Sequence, residues 1–283
     1  MKATSQILVK GPWSASATSI LDVLVRRTLT MAYIDGFVAR EPGAMKKPGL
    51  LSMLVLLGLP ALADAQGNKP TPYPAMAPLG QYLIADAHDE IALARSAAPP
   101  SISADAEVLV LGKHGYATAI RGTNGFVCFV ERSWAAGFDD AGFWNPKIRA
   151  PNCFNPPAVR SVLPQYLRRT EWVLAGMSKA QMIEAARTAV ANRRSPAPEA
   201  GSFSFMLSRN GYLGDDAAGP WLPHVMLFVP HGQAAVWAAG LKASPILGAD
   251  GLPFEPTVLF IPVRRWSDGS PAPLPATEHQ HSP

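Results

Sequence analysis

Apolar positions along the chain change period several times, and each change marks an element. Leu83, Ala87, Ile91 and Ala94 recur at helical spacing and predict a helix over 79–97, stopped by Pro99 and Pro100. Three strand-like runs follow: "AEVLVL" at 106–111, "YATAIR" at 116–121 and "FVCFVE" at 126–131. Turn signals separate them, "GKHG" and then "GTNG"; Asn-Gly accepts the positive φ of a tight hairpin. These runs predict an antiparallel β-meander. On the third run, Phe126, Cys128 and Val130 share one face while Val127 and Phe129 share the other. A strand apolar on both faces belongs inside the protein.

Periodicity then lapses over 132–157, a stretch rich in Trp, Phe, Gly and Pro. It reads as a long loop ordered by its aromatic residues. A helical region over 158–175, kinked or started near Pro164, comes next. A second helix opens at Ser178, where Ser178 and Gln181 have capping-box spacing. Met182, Ile183, Ala186, Ala189 and Val190 mark its apolar face. The last third is strand-rich: "FSFMLS" 203–208, "HVMLFVP" 224–230, "AAVWAA" 234–239 and "TVLFIPV" 257–263. The second and fourth rhyme, both starting and ending near proline, and predict two equivalent strands of one sheet. The fold class expected is α+β: an antiparallel β-meander plus later strands, with helices at the N-terminal edge and in the middle.

One segment fits none of these elements. In "MKKPGLLSMLVLLGLPALADAQG", Lys46 and Lys47 follow Met45, an apolar run extends from Leu50 to Leu62, and small-x-small sites end at Ala63 and Ala65. That is the anatomy of a secretory signal peptide over 45–65. The apolar run is shorter than the ~20 residues of a membrane span, so no span is expected after signal cleavage. Met45 then reads as the first residue, and 1–44 as a mis-assigned start or a disordered extension. The working chain divides into a Pro-rich leader (66–78), a single α+β domain (79–267) and a disordered tail (268–283). The expected location is periplasmic or secreted.

This reading changes the charge balance. The whole chain has 25 basic and 21 acidic residues, a formal charge of +4. Residues 1–65 hold seven of those basic residues and four of the acidic ones, so the remainder carries +1. Nucleic-acid binding needs a clustered cationic excess, and none is expected here. An oxidising compartment also gives the two cysteines, Cys128 and Cys153, a reason to pair. Their loop of about 25 residues would be worth about 3 kcal/mol on the chain-entropy model.

Candidate chemistry is sparse. No GxSxG, HExxH, phosphate-binding glycine loop or CxxC occurs. Cys128 with His224 is the alternative catalytic pair, a nucleophile and base of a cysteine-dependent hydrolase. Cys128 sits mid-strand among Phe and Val, where burial raises a thiol pKa. Met206, Met226, His224 and His231 suit a soft metal in kind, but their spacing matches no compact motif. The pairs Asp139-Asp140 and Asp215-Asp216 lack the alternating ligands of a calcium loop. No metal and no cofactor is therefore expected. Trp134, Trp144 and Trp221, with His224, make a possible binding surface for a small molecule, peptide or glycan.

The run "LARSAAPPSISADAEVLVLGKHGYATAIRGTNGFVCFVERSW", with "PHVMLFVP" further on, resembles a group of uncharacterised secreted bacterial proteins. The resemblance covers most of the folded body. It implies bacterial origin and export and assigns no catalytic residue. The function expected is that of an exported, non-enzymatic binding or envelope-associated domain.

Overall fold

The computed structural model describes residues 72–215 and 221–273. The signal segment 45–65, the extension 1–44, leader residues 66–71 and tail residues 274–283 lie outside the described residues. Five helices and seven strands are described: α1 (Ala87–Arg95), α2 (Pro100–Ser103), β1 (Glu107–Gly112), β2 (Gly115–Ile120), β3 (Val127–Glu131), β4 (Ala150–Phe154), α3 (Pro156–Ser161), α4 (Leu163–Leu174), α5 (Lys179–Ala191), β5 (Phe203–Met206), β6 (His224–Val229) and β7 (Thr257–Pro262). The strands form one sheet in the order β2-β1-β3-β4-β5-β6-β7. The α+β class follows.

The expected helix over 79–97 is two pieces. Leu79–Gln81 is a 3₁₀ turn, and α1 starts afresh at Asp86, whose side chain accepts from the His88 N–H at 2.8 Å. The break lets Tyr82 turn fully inward, where its hydroxyl donates to the Trp144 carbonyl at 2.8 Å. Helix α5 is capped as expected, with both arms of the Ser178–Gln181 box in place. Its buried face is narrower than the pattern implied: Met182 is fully buried, whereas Val190 is 39% exposed.

The β-meander needs correcting. β1 and β2 are a hairpin closed by Gly112 and Gly115, the latter at φ +112°. β3 does not return beside β2. It crosses to the other side of β1 and pairs with it in parallel, Glu107 opposite Val127 and Val108 opposite Cys128. "GTNG" is that crossing. A Cβ on Gly122 would sit 2.1 Å from the Glu107 nitrogen, so only glycine passes there. The Asn124 amide donates to the Ile102 carbonyl at 2.7 Å, and its oxygen accepts from the Phe126 N–H. The Asn is thus spent on anchoring the crossing rather than on a two-residue turn.

The remaining neighbours are antiparallel. β4 lies inside the stretch expected to be loop, and all five of its residues are buried. β6 and β7, the rhyming runs, are adjacent. The expected strand 234–239 is a series of turns instead. Ala238 (φ 52°) and Gly240 (φ 70°) bend the chain there, and Val236 is 75% exposed.

The sheet is covered on both faces. α1 and the following turn pack on Val108, Cys128, Val130 and Cys153. α3 and α4 pack on Val127, Phe129, Phe154 and Phe228. Phe154 stacks between Phe129 and Phe228, with centroids 5.5 and 5.4 Å away. Cys128 and Cys153 are direct cross-strand partners and form a disulfide. Replacing both by Ala should lower the unfolding free energy by about 3 kcal/mol. Urea unfolding measures it, with the free energy taken from midpoint and slope together, since the unbridged unfolded chain is less compact and raises m.

Candidate functional site

A cavity of about 660 Å³ opens over the β3–β7 half of the sheet, on the face covered by α4. Strand alternation sets its floor. Glu131 on β3, Ala150 on β4, Met206 on β5, His224 and Met226 on β6, and Val258 and Phe260 on β7 all face it. α4 supplies Tyr166 and Arg169 to one wall, and the 133–145 segment supplies another. The volume is that of a small-molecule site.

Charge at the cavity is internally committed. The Arg169 guanidinium donates to the Trp134, Ala135 and Ala136 carbonyls and to Glu255 at 3.0 Å. Glu255 in turn accepts from the Leu252 N–H. At the rim, Asp215 accepts from Lys147 (2.8 Å), Asn145 (3.0 Å), Tyr73 and Tyr212. Those donors hold its carboxyl well below the usual range, Lys147 contributing most. Asp140 accepts from the Gly142 N–H in its own exposed turn.

The polar groups of the floor are not so committed. Glu131 is 7% exposed and accepts one hydrogen bond, from the Asn152 amide at 2.7 Å. Burial pushes its carboxyl up to about 8, against smaller opposing effects of Asn152 and Arg169. His224 is 9% exposed, and its Nδ1 lies 2.8 Å from the Leu222 carbonyl. That contact assigns the proton to Nδ1 and leaves the Nε2 lone pair free. Burial also holds the imidazole below its ordinary pKa. Among the described residues, five buried side-chain atoms have no hydrogen-bond partner: Arg95 Nε, on the α1 side of the sheet, and Ser133 Oγ, Asn152 Oδ1, Ser204 Oγ and His224 Nε2. Ser133 and His224 line the cavity; Ser204 sits on the same sheet face, opposite Met226. Four such groups on and around one cavity are unusual, since buried polar atoms are normally paired.

The residues singled out from sequence separate. Trp134 is 1% exposed and donates from Nε1 to Thr170 at 2.9 Å; Trp144 is 7% exposed and packs edge-on against Phe143. Both are core residues, not a binding surface, because the segment that carries them folds into the space between α4, α5 and the sheet. Trp221 is partly buried, with its ring 5.7 Å from that of His224. Only His224 of the four lines the cavity. The Cys128–His224 pair also dissolves. Cys128 is bonded to Cys153, and its side chain packs with Val108 and Val130 on the face opposite the cavity. Glu131, Asn152, Ser133 and Arg169 were missed. One signal pointed to Glu131: in "FVCFVE" it falls in phase with Val127 and Phe129, a charge on an otherwise apolar face.

The chain matches no protein-family model, no curated protein and no solved structure.

Proposed function

We propose that this is an exported, non-enzymatic binding protein whose cavity takes a small, uncharged molecule rich in hydrogen-bond donors. One observation carries the reading: a cavity of about 660 Å³ is lined and underlain by buried polar groups that find no partner in the protein. A ligand supplies those partners. The two that line the cavity are His224, whose Nε2 lone pair accepts, and Ser133, whose hydroxyl either donates or accepts. Among the described residues around the cavity, an anion meets cations that are already engaged, Arg169 by Glu255 and Lys147 by Asp215. Export is supported by the Lys46-Lys47 segment with its apolar run, and by the Cys128–Cys153 bridge. Among the described residues no helix is long and apolar enough to cross a membrane.

Thermal unfolding in the presence of monosaccharides, disaccharides, polyols and neutral dipeptides tests the proposal. A ligand at a hundred times its Kd adds about 2.7 kcal/mol, and each kcal/mol is roughly 2–4 °C for a domain of this size. Val258→Phe, which fills the cavity from a partly buried floor position, should abolish the shift and keep the fold. Absence of any shift across these classes, or an equal shift in Val258→Phe, would overturn the reading.

A further inference from the structure

The cavity floor brings together three soft ligands that lie apart in the sequence. Met206 is the direct cross-strand partner of His224 in the β5–β6 ladder. Paired Cβ atoms on one face lie about 5 Å apart. Met226 is two residues beyond His224 on β6, on the same face and about 7 Å along the strand. All three line the cavity, and both methionines are almost fully buried. Side chains as long as Met reach across such spacings, and Met adjusts its rotamers readily.

We infer that Met206, His224 and Met226 form a binding site for one soft monovalent cation, Cu(I). Thioether sulfur and imidazole nitrogen are the donors that select Cu(I). The imidazole is prepared for the task. Its Nδ1 is held by the Leu222 carbonyl, the outer contact that orients a metal-binding histidine, and its Nε2 has no partner among the described residues. Buried polar atoms seldom remain so, and a metal would satisfy this one.

Charge and surroundings favour a monovalent soft ion over a divalent one. The three ligands are neutral, so Cu(I) leaves a single positive charge in the site, whereas a divalent ion would leave two. Hard divalent ions also require carboxylate oxygens. Glu131 is three strands from His224, about 14 Å away at ordinary strand spacing. Asp215 and Glu255 are held by Lys147 and Arg169. Aromatic rings enclose the imidazole, with Trp221 at 5.7 Å and Phe260 at 5.4 Å, and keep water from it. The sequence-stretch spacing of 18 and 20 residues from Met206 to His224 and Met226 hides this arrangement, because it depends on two strands coming into register.

The purified protein, titrated anaerobically with Cu(I) against a chromophoric Cu(I) chelator, tests the inference. One Cu(I) per chain should be retained, with quenching of Trp221 fluorescence that disappears in Trp221→Phe. The double variant Met206→Leu/Met226→Leu keeps the volume and apolar character of the floor. It should lose more than about a hundredfold in affinity, since even outer-contact losses cost 10–100-fold. His224→Gln should do the same. No retention of Cu(I) at micromolar chelator would overturn the inference, as would retention unchanged in both variants. Met206→Leu/Met226→Leu also separates this site from the organic-ligand reading: it removes the sulfur donors but keeps the cavity volume and the His224 Nε2 lone pair, so the small-molecule shift should persist while Cu(I) binding is lost.

Discussion

Replacing Arg132 by Met should destabilise the protein by about 3–5 kcal/mol, the cost of leaving one buried charge without its partner. Arg132 is 1% exposed and its side chain reaches three places at once. Nη2 donates to Glu90 at 2.9 Å, Nε to the Tyr82 carbonyl at 2.6 Å and Nη1 to the Val130 carbonyl at 2.5 Å. Glu90, also 1% exposed, accepts in addition from the Leu111 N–H at 3.0 Å. The pair therefore ties α1, the break at Tyr82, β1 and β3 together. Removing the guanidinium strands the carboxylate and the Tyr82 carbonyl; the Val130 carbonyl keeps the Tyr116 hydroxyl as a donor at 2.6 Å. Removing both charges, as in Glu90→Leu/Arg132→Met, should recover much of the loss, because a buried pair gains little over well-packed apolar residues. Urea denaturation of the single and double variants measures both numbers. A single variant within 1 kcal/mol of wild type would refute the coupling of these elements through Arg132.

Local features of the fold were legible, and features made by distant partners were not. The Ser178–Gln181 cap depends on residues three apart, so it can be read directly and forms as read. The proline-bounded runs of β6 and β7 carry their own strand signal. β4 carries little: Pro151 and Asn152 are poor strand residues, and the strand exists because β3 and β5 flank it on both sides. "AAVWAA" shows the converse. Its short apolar run suits a strand, but the positive-φ bends at Ala238 and Gly240 leave it as turns. The "GTNG" crossing was hidden for a similar reason. What decides it is the contact of Gly122 with the backbone at Ala106 and Glu107, which no local rule contains.

The site was less legible than the fold. Large aromatics in a Gly- and Pro-rich stretch look alike whether they plug a core or offer a surface. Trp134 and Trp144 plug the core. His224 was recognisable as a polar residue at the head of an apolar strand. Glu131 and Ser133 were not, because they reach the cavity from β3 and the segment after it; Met206 and Met226 suited a soft metal in kind, but their spacing did not show that they lie beside His224. Once β5 and β6 are in register, side-chain types that are unremarkable singly become a donor set.

Glu131→Gln should abolish the pH dependence that this one carboxyl imposes on stability. Burial raises it from 4.5 to about 8 in the folded protein, while in the unfolded chain it has its ordinary value. Below about pH 4.5 both states are protonated there and the group is neutral in its effect. Between pH 4.5 and 8 the unfolded chain ionises and the folded protein does not, so stability falls by up to about 1.4 kcal/mol per pH unit. The stability associated with the protonated group is thus present at low pH and lost by about pH 8. Gln keeps the shape and the carbonyl oxygen that accepts from Asn152, and it does not titrate. The difference in unfolding free energy between variant and wild type should therefore be small at pH 5 and grow to a few kcal/mol in favour of the variant at pH 9. His224 acts in the opposite sense, since its lowered pKa makes stability rise with pH, but it is common to both proteins and cancels in the difference. Urea titrations at unit steps from pH 5 to 9 give the two curves directly. Parallel curves would mean that Glu131 is already ionised at neutral pH. The floor of the cavity would then present a negative charge, and it would favour a cationic ligand over the uncharged molecule proposed above.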